Sequence, residues 1–244
     1  MGTAIMVTSG KGGTGKTSLT AGVASCLAAL GHRVLCIDLD IGLRNLDIAL
    51  GLADRAVMDF SDVMARRCPL LTASIEHPDI RGLYLLTAPL SLDDPDSDAF
   101  CTLVADAKDC FDFVFMDSPA GLGVGFQLAM AAADRVVVVS ATDPAALRDA
   151  QMAVSQLVGQ VEQLHLVMNR VQPKLIGKLR TSIDNAMDAA GLPLLGVVPE
   201  DQMVTMAAAS GVPLTLMTYQ GAAPAYLNIA RRLLGRRVPL LRIR

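Results

Sequence analysis

Residues 10–17 read Gly-Lys-Gly-Gly-Thr-Gly-Lys-Thr, between a short apolar run, AIMVTS (residues 4–9), and a helical pattern, KTSLTAGVASCLAALG, that begins at Lys16 and stops at Gly31. Glycines at this spacing let the backbone curl until its N–H groups face phosphate oxygens, and the helix that follows adds the positive end of its dipole. G-x-x-x-x-G-K-T between a strand and a helix is a P-loop. The motif constrains the fold strongly, because a strand–loop–helix unit buries its apolar faces only within a covered, mostly parallel sheet. The loop Gly10, Lys11, Gly12, Gly13, Thr14, Gly15, Lys16, Thr17 and Ser18 is the expected phosphate site. Lys16 can reach the β- and γ-phosphates as a mobile charge, and the Thr17 hydroxyl can ligate Mg²⁺.

The rest of the chain agrees with such a sheet. Apolar runs at 33–40, 83–88, 113–117, 135–141, 164–170 and 193–199 read as further strands, and most intervals between them are long enough for a crossover helix. Hydrophobic residues make up 52 % of the 244 and aromatics only 4 %, with no Trp, so the core is aliphatic. This predicts an α/β chain of three layers, a P-loop NTPase fold, with one domain over 1–235 and a basic tail over 236–244. The five cysteines are odd in number and lack C-x-x-C spacing, which predicts reduced thiols in a cytoplasmic protein, with Cys26 and Cys36 in the core. No signal-peptide pattern opens the chain, and no run of 18 apolar residues occurs. The acidic stretch LSLDDPDSD (90–98) reads as a solvated turn, since its carboxylates lack metal-loop spacing.

A P-loop needs a carboxylate at the end of a neighbouring strand to hold the Mg²⁺ shell. FVFMD supplies Asp117 at the expected place. The second strand ends IDLD, where Asp38 and Asp40 are two apart and can share a face. Asp40 can orient or deprotonate an attacking water and approach the metal, while Asp38 can act near Mg²⁺ or Lys16.

Lys11 has no role in a simple P-loop. KGGTGKT resembles the deviant Walker A loop of the MinD/ParA ATPases, in which an additional signature lysine precedes the usual one. IDLDIGLRNLDIALGL, DSPAG and GVVPEDQ are similar to the MinD branch of that family, and the likeness runs from about residue 3 to residue 238. The resemblance implies an ATPase using ATP and Mg²⁺, with Lys11 crossing to the nucleotide of a second subunit in a homodimer. A cation delivered in trans acts as an arginine finger does, worth roughly 10³- to 10⁵-fold in rate, or about 4–7 kcal/mol of barrier. It further implies that Asn169 reads adenine, that Pro199 and Asp201 contact the base, and that Arg148 and Asp149 begin a partner-binding helix. The implied function is division-site selection through reversible membrane association, with a MinC-like inhibitor and a MinE-like or other activator.

The C-terminus departs from that pattern. YLNIARRLL (226–234) has helical spacing suited to core packing, and Gly235 and Pro239 then break the helix. The last fourteen residues hold six Arg and no acid, on a chain whose net charge is −3. Leu240, Leu241 and Ile243 beside the arginines from 236 to 244 predict a short anchor for anionic lipid, each basic residue adding about 1 kcal/mol. Nucleic acid is not an expected partner, because the body of the chain is acidic. The alternatives are a ParA-like DNA partition ATPase, a flagellar-number ATPase, and a small-molecule ATP-dependent ligase. An iron-protein reductase needs cysteines after DSPAG, and Cys110 is the last one.

Overall fold

The computed structural model describes residues 1–92, 95–172, 187 and 191–241. Among these residues the strands are β1 (Thr3–Thr8), β2 (Val34–Asp38), β3 (Ile75–Glu76), β4 (Leu83–Leu86), β5 (Phe113–Asp117), β6 (Arg135–Ser140), β7 (Gln163–Val171) and β8 (Leu194–Pro199). They form one sheet in the order β3-β4-β2-β5-β1-β6-β7-β8. Every pairing is parallel except β3 on β4. All the strands read from the sequence are present, and the sheet is that of a P-loop NTPase. β3 was not expected, since it is only two residues long and carries no alternation.

Period-two alternation places the helices on both faces. Ile5 and Val7 of β1, with Val34 and Cys36 of β2, point to one side, where they meet α1 (Lys16–Ala29) and α2 (Leu46–Ala49). The same layer holds α8 (Gln202–Ser210), α9 (Leu214–Met217) and α10 (Ala223–Leu233). Ala4, Met6, Leu35 and Ile37 point to the other side. That side is covered by α3 (Phe60–Met64), α4 (Leu70–Ala73), α5 (Ser97–Cys110), α6 (Val124–Ala132) and α7 (Pro144–Leu157).

On the first face α1 and α10 approach closely at Gly22. A Cβ built there would lie 2.2 Å from Tyr226 Cδ2, so only glycine admits the buried tyrosine ring. Tyr226, Ile229 and Leu233 of α10 are buried, as the spacing of YLNIARRLL predicts.

The start of the tail is bonded to α10. Arg232 donates from Nε and Nη2 to Val238 O at 3.1 and 2.7 Å, and from Nη1 to Leu195 O. Arg232 thus links Val238 of the tail and Leu195 of β8. Leu241 packs against the core, and Leu240 stays 47 % exposed. Arg242, Ile243 and Arg244 lie outside the described residues, as do Asp93 and Asp94 of the acidic stretch. In that stretch Asp96 caps α5, accepting from Ala99 N at 2.9 Å.

All five cysteines are free, with Cys26 and Cys36 buried. Among the described residues, no helix is long and apolar enough to cross a membrane.

Candidate nucleotide site

Parallel pairing brings the C-terminal ends of β1, β2, β5, β7 and β8 to one edge of the sheet, where ligands of open α/β folds bind. In register, Val7 and Asp38 both lie beside Asp117. The P-loop leaves β1 at Thr8, with Ser9 Oγ donating to Lys11 O at 2.7 Å. It enters α1 through Gly15, whose φ of 87° is left-handed and which offers no side-chain cap. The first N–H groups of a 14-residue helix are therefore left facing the loop's concavity, which suits an anion. A Cβ on Gly15 would also lie 2.4 Å from Asn169 Nδ2.

Lys16 is buried at 8 % exposure. Burial pushes its ammonium below the usual range, while the nearby carboxylates of Asp117 and Asp40 pull it back up. Thr17 Oγ1 donates to Asp117 Oδ2 at 2.6 Å, and Thr20 Oγ1 donates to Oδ1 at 3.3 Å. Asp117 is pushed up to about 7, chiefly by burial and then by Asp38, against the pull of Thr17, Lys16 and Thr20. Thr17 and the β5 carboxylate, both read from the sequence as near Mg²⁺, thus lie side by side.

Asp38 and Asp40 separate in role. β2 ends at Asp38 instead of running on to Asp40, because the Asp38 carboxylate folds the following chain around itself. Its Oδ1 accepts from Asp40 N at 2.8 Å and its Oδ2 from Leu46 N at 3.0 Å. Burial raises its carboxyl to about 6, opposed by those two backbone donors. Asp40 lies beyond the strand, partly exposed, and accepts from Asn45 Nδ2 at 3.1 Å. The shared face expected of the pair is replaced by a turn in which Asp38 positions Asp40.

A cavity of about 1170 Å³ opens beside the loop, lined by Gly13, Gly15, Ser18, Asn169, Pro199, Asp201 and Thr205 among others. It brings together the residues expected to meet the base, but two of them have other contacts. Asn169 Nδ2 donates to Thr14 O at 2.7 Å. Asp201 caps α8, its Oδ1 accepting from Met203 N and its Oδ2 from Ala222 N, both at 2.9 Å.

Lys11 leaves the opposite side of the loop. Its Nζ meets Asp143 Oδ1 at 2.8 Å, and both side chains are partly exposed. Asp143, the N-cap of α7, was not singled out by the sequence; a D-P-A-A pattern before a helix was the available signal. Arg148 is exposed on α7.

The site suits a Mg²⁺-nucleotide. Thr14 Oγ1 is buried without a hydrogen-bond partner among the described residues, and a Cβ on Gly12 or Gly13 would meet nothing within 4 Å. Mg²⁺ at phosphate sites takes few protein ligands, and Thr17 with Asp117 supplies that pattern.

Residues 5–214 match the family of CobQ/CobB/MinD/ParA nucleotide binding domains. The septum site-determining protein MinD of Bacillus subtilis is 38 % identical over 246 residues, covering 98 % of this chain and 92 % of the relative. The chain belongs to the MinD family of ATPases. Among solved structures, MinD in the MinC:MinD complex of Aquifex aeolicus superposes with a TM-score of 0.90 at 34 % identity, covering 99 % of each chain. MinD of Pyrococcus horikoshii complexed with Mg-ADP gives 0.81 at 27 % identity, covering 96 % of each. The fold, the ATPase class and the fit to Mg²⁺ and adenine nucleotide agree with the MinD family, as the deviant loop and IGLRNLD imply.

Proposed function

We propose that this chain is an ATP-driven switch acting in division-site selection, monomeric without ATP and paired with a second copy when ATP is bound. The observation that carries the reading is the place of Lys11. The P-loop already has Lys16 inside, whereas Lys11 stands at the rim on a partly exposed ion pair with Asp143. Such a pair is weak in water and readily exchanged for phosphate charge. A second subunit facing this edge offers that charge, so that binding, dimerisation and hydrolysis are linked.

In this reading Lys16 and the N–H groups of Gly10–Ser18 hold the phosphates. Thr17, with Asp117 and Asp40 around it, holds Mg²⁺, which when bound neutralises charge on the phosphate oxygens. Asp40, aimed by Asp38, orients the water that attacks the γ-phosphorus and accepts its hydrogen. Asn169, Pro199 and Asp201 form the base wall. Residues 1–235 act as one unit with the tail 236–244 appended.

The Aquifex relative is in complex with MinC, which supports a MinC-like inhibitor on α7 around Arg148 and Asp149. A MinE-like activator and reversible binding of the basic tail to anionic lipid complete the cycle, with the protein otherwise in the cytoplasm. DNA is not part of it.

Sedimentation with anionic vesicles under ATP and under ADP, alongside ATPase rates over a protein concentration series, tests the reading. ATP-specific pelleting and turnover that rises more than linearly with concentration are expected. Lys11→Ala should abolish the nonlinearity while retaining more nucleotide affinity than Lys16→Ala. A strictly linear wild type, with Lys11→Ala of equal activity, sinks it.

A further inference from the structure

Three successive P-loop carbonyls accept hydrogen bonds from two successive residues of β7. Arg170 Nη1 donates to Gly13 O at 3.0 Å. Asn169 Nδ2 donates to Thr14 O at 2.7 Å and reaches Gly15 O at 3.5 Å. Side chains at 169 and 170 in a regular strand point to opposite faces and cannot both turn to one loop. Here the β7–β8 register shifts between Met168 and Val171, and Arg170 has a φ of 56°. A left-handed backbone is uncommon for a residue other than glycine, and such strain persists where the surroundings demand it. The kink aims both side chains at the loop.

The guanidinium is itself held. Arg170 Nη2 pairs with Glu200 Oε1 at 3.0 Å, and Gln172 Nε2 donates to Glu200 Oε2 at 3.1 Å. Glu200 N in turn donates to Val171 O at 2.9 Å. Asn169 is buried, whereas Arg170 is exposed at the mouth of the cleft.

In a trans planar peptide the C=O of one residue and the N–H of the next point in opposite directions. Holding the carbonyls of Gly13 and Thr14 toward β7 therefore turns the N–H groups of Thr14 and Gly15 the other way, into the phosphate concavity, whereas the Gly15 carbonyl accepts chiefly from Leu19 N at 3.0 Å in the first turn of α1. We propose that Asn169 and Arg170 are positioning residues that preorganise the P-loop's N–H groups, with Glu200 aiming the Arg170 fork. This adds a role for Asn169 beside that of base wall, and a role for the strained Arg170. It rests on the nucleotide-site reading above.

Arg170→Gly isolates the side chain, because glycine accepts the left-handed backbone without strain. Mg-ADP and Mg-ATP affinities, measured with fluorescent nucleotide analogues, should weaken roughly tenfold, the scale of one charge-assisted hydrogen bond. KM for ATP should rise in step, with kcat changed less. The nucleotide-free variant should melt within about 2 °C of wild type, since only a surface ion pair and one exposed hydrogen bond are lost and strain is relieved. Arg170→Lys, which keeps the charge but lacks the fork, should fall between the two in affinity. Affinities of Arg170→Gly within twofold of wild type overturn the proposal. So does a loss of affinity that comes only with a matching fall in nucleotide-free melting, or an Arg170→Lys no better than Arg170→Gly. A wild type that binds neither nucleotide overturns the site reading itself.

Discussion

Lys11 and Asp143, 132 residues apart in sequence, share a 2.8 Å hydrogen-bonded ion pair that ties the entrance of the P-loop to the start of α7. The same Asp143 Oδ1 also accepts from Ala146 N at 2.9 Å and so caps the helix. The Lys11 hydrogen bond is the main cause that holds the Asp143 carboxyl below its ordinary range. Any move of Lys11 toward a second subunit must release this cap residue from its partner.

Asp143→Asn separates the two roles. Asparagine still caps, so stability should change by less than about 0.5 kcal/mol. With its cis partner neutralised, Lys11 is released, and ATP-dependent dimers should form at lower protein concentration by light scattering. Asp143→Ala should lower stability by about 1 kcal/mol in urea titration through loss of the cap. Identical dimer midpoints for Asp143→Asn and wild type would show that the pair does not hold Lys11 back.

Lys16→Ala and Asp40→Ala should fail differently. Without Lys16 the buried charge facing Asp117 and Asp40 is gone, and Mg-ATP binding should fall at least roughly a hundredfold, as for a lost charged partner at a buried site. Asp40→Ala removes no phosphate contact and leaves Thr17 and Asp117 to hold Mg²⁺, so binding should persist while turnover stops and the ATP-bound dimer accumulates. Calorimetry and phosphate release distinguish the two. Normal turnover in Asp40→Ala would exclude Asp40 as the residue that orients water.

Gly22→Ala should destabilise the chain far from the chemistry. The added methyl would meet Tyr226 at 2.2 Å, in the packed seam of α1 and α10. Overpacking of this kind costs about 1–3 kcal/mol. Thermal unfolding should show the drop, and Gly22→Ala with Tyr226→Leu should recover part of it.

His77 should make stability fall in mild acid. Its buried Nδ1 accepts from Asp79 N and Ile80 N, both at 3.1 Å, and protonation there would break both bonds. Burial lowers its folded pKa first of all. Arg55 adds to that shift, while the Leu50 hydrogen bond and Asp79 oppose it. The unfolded chain therefore binds this proton more readily, and stability is lost as pH falls through about 6.5, the ordinary histidine value. His165, half-buried near Arg135, acts in the same direction. Urea midpoints at pH 7.5 and 5.5 should differ less in His77→Asn, whose amide oxygen accepts without titrating. An unchanged difference would place the acid sensitivity elsewhere.

Much of the fold was legible because its signals are local. The strand ends around Asp117, the start of α1 at Lys16 and the buried face of α10 follow from apolar period and glycine placement within a few residues. β3 was not legible, since two residues paired to β4 carry no period of their own. The site was legible where a motif states it, at Gly10–Thr17 and Asp117. It was not legible at Arg170, whose role depends on a bulge that reverses the expected side-chain direction.

A P-loop with a surplus lysine, set in a covered parallel sheet, can be read from the residues alone, because spacing and alternation are properties of neighbours along the chain. What each polar group holds depends on the folded arrangement of distant segments. Thr17 meets Asp117 across 100 residues, Asn169 meets Thr14 across 155, and Lys11 rests on Asp143 instead of standing free. Those pairings follow from strand order and from the backbone turns at Asp38 and Arg170, and no local pattern encodes which distant strand end comes to lie beside a given loop.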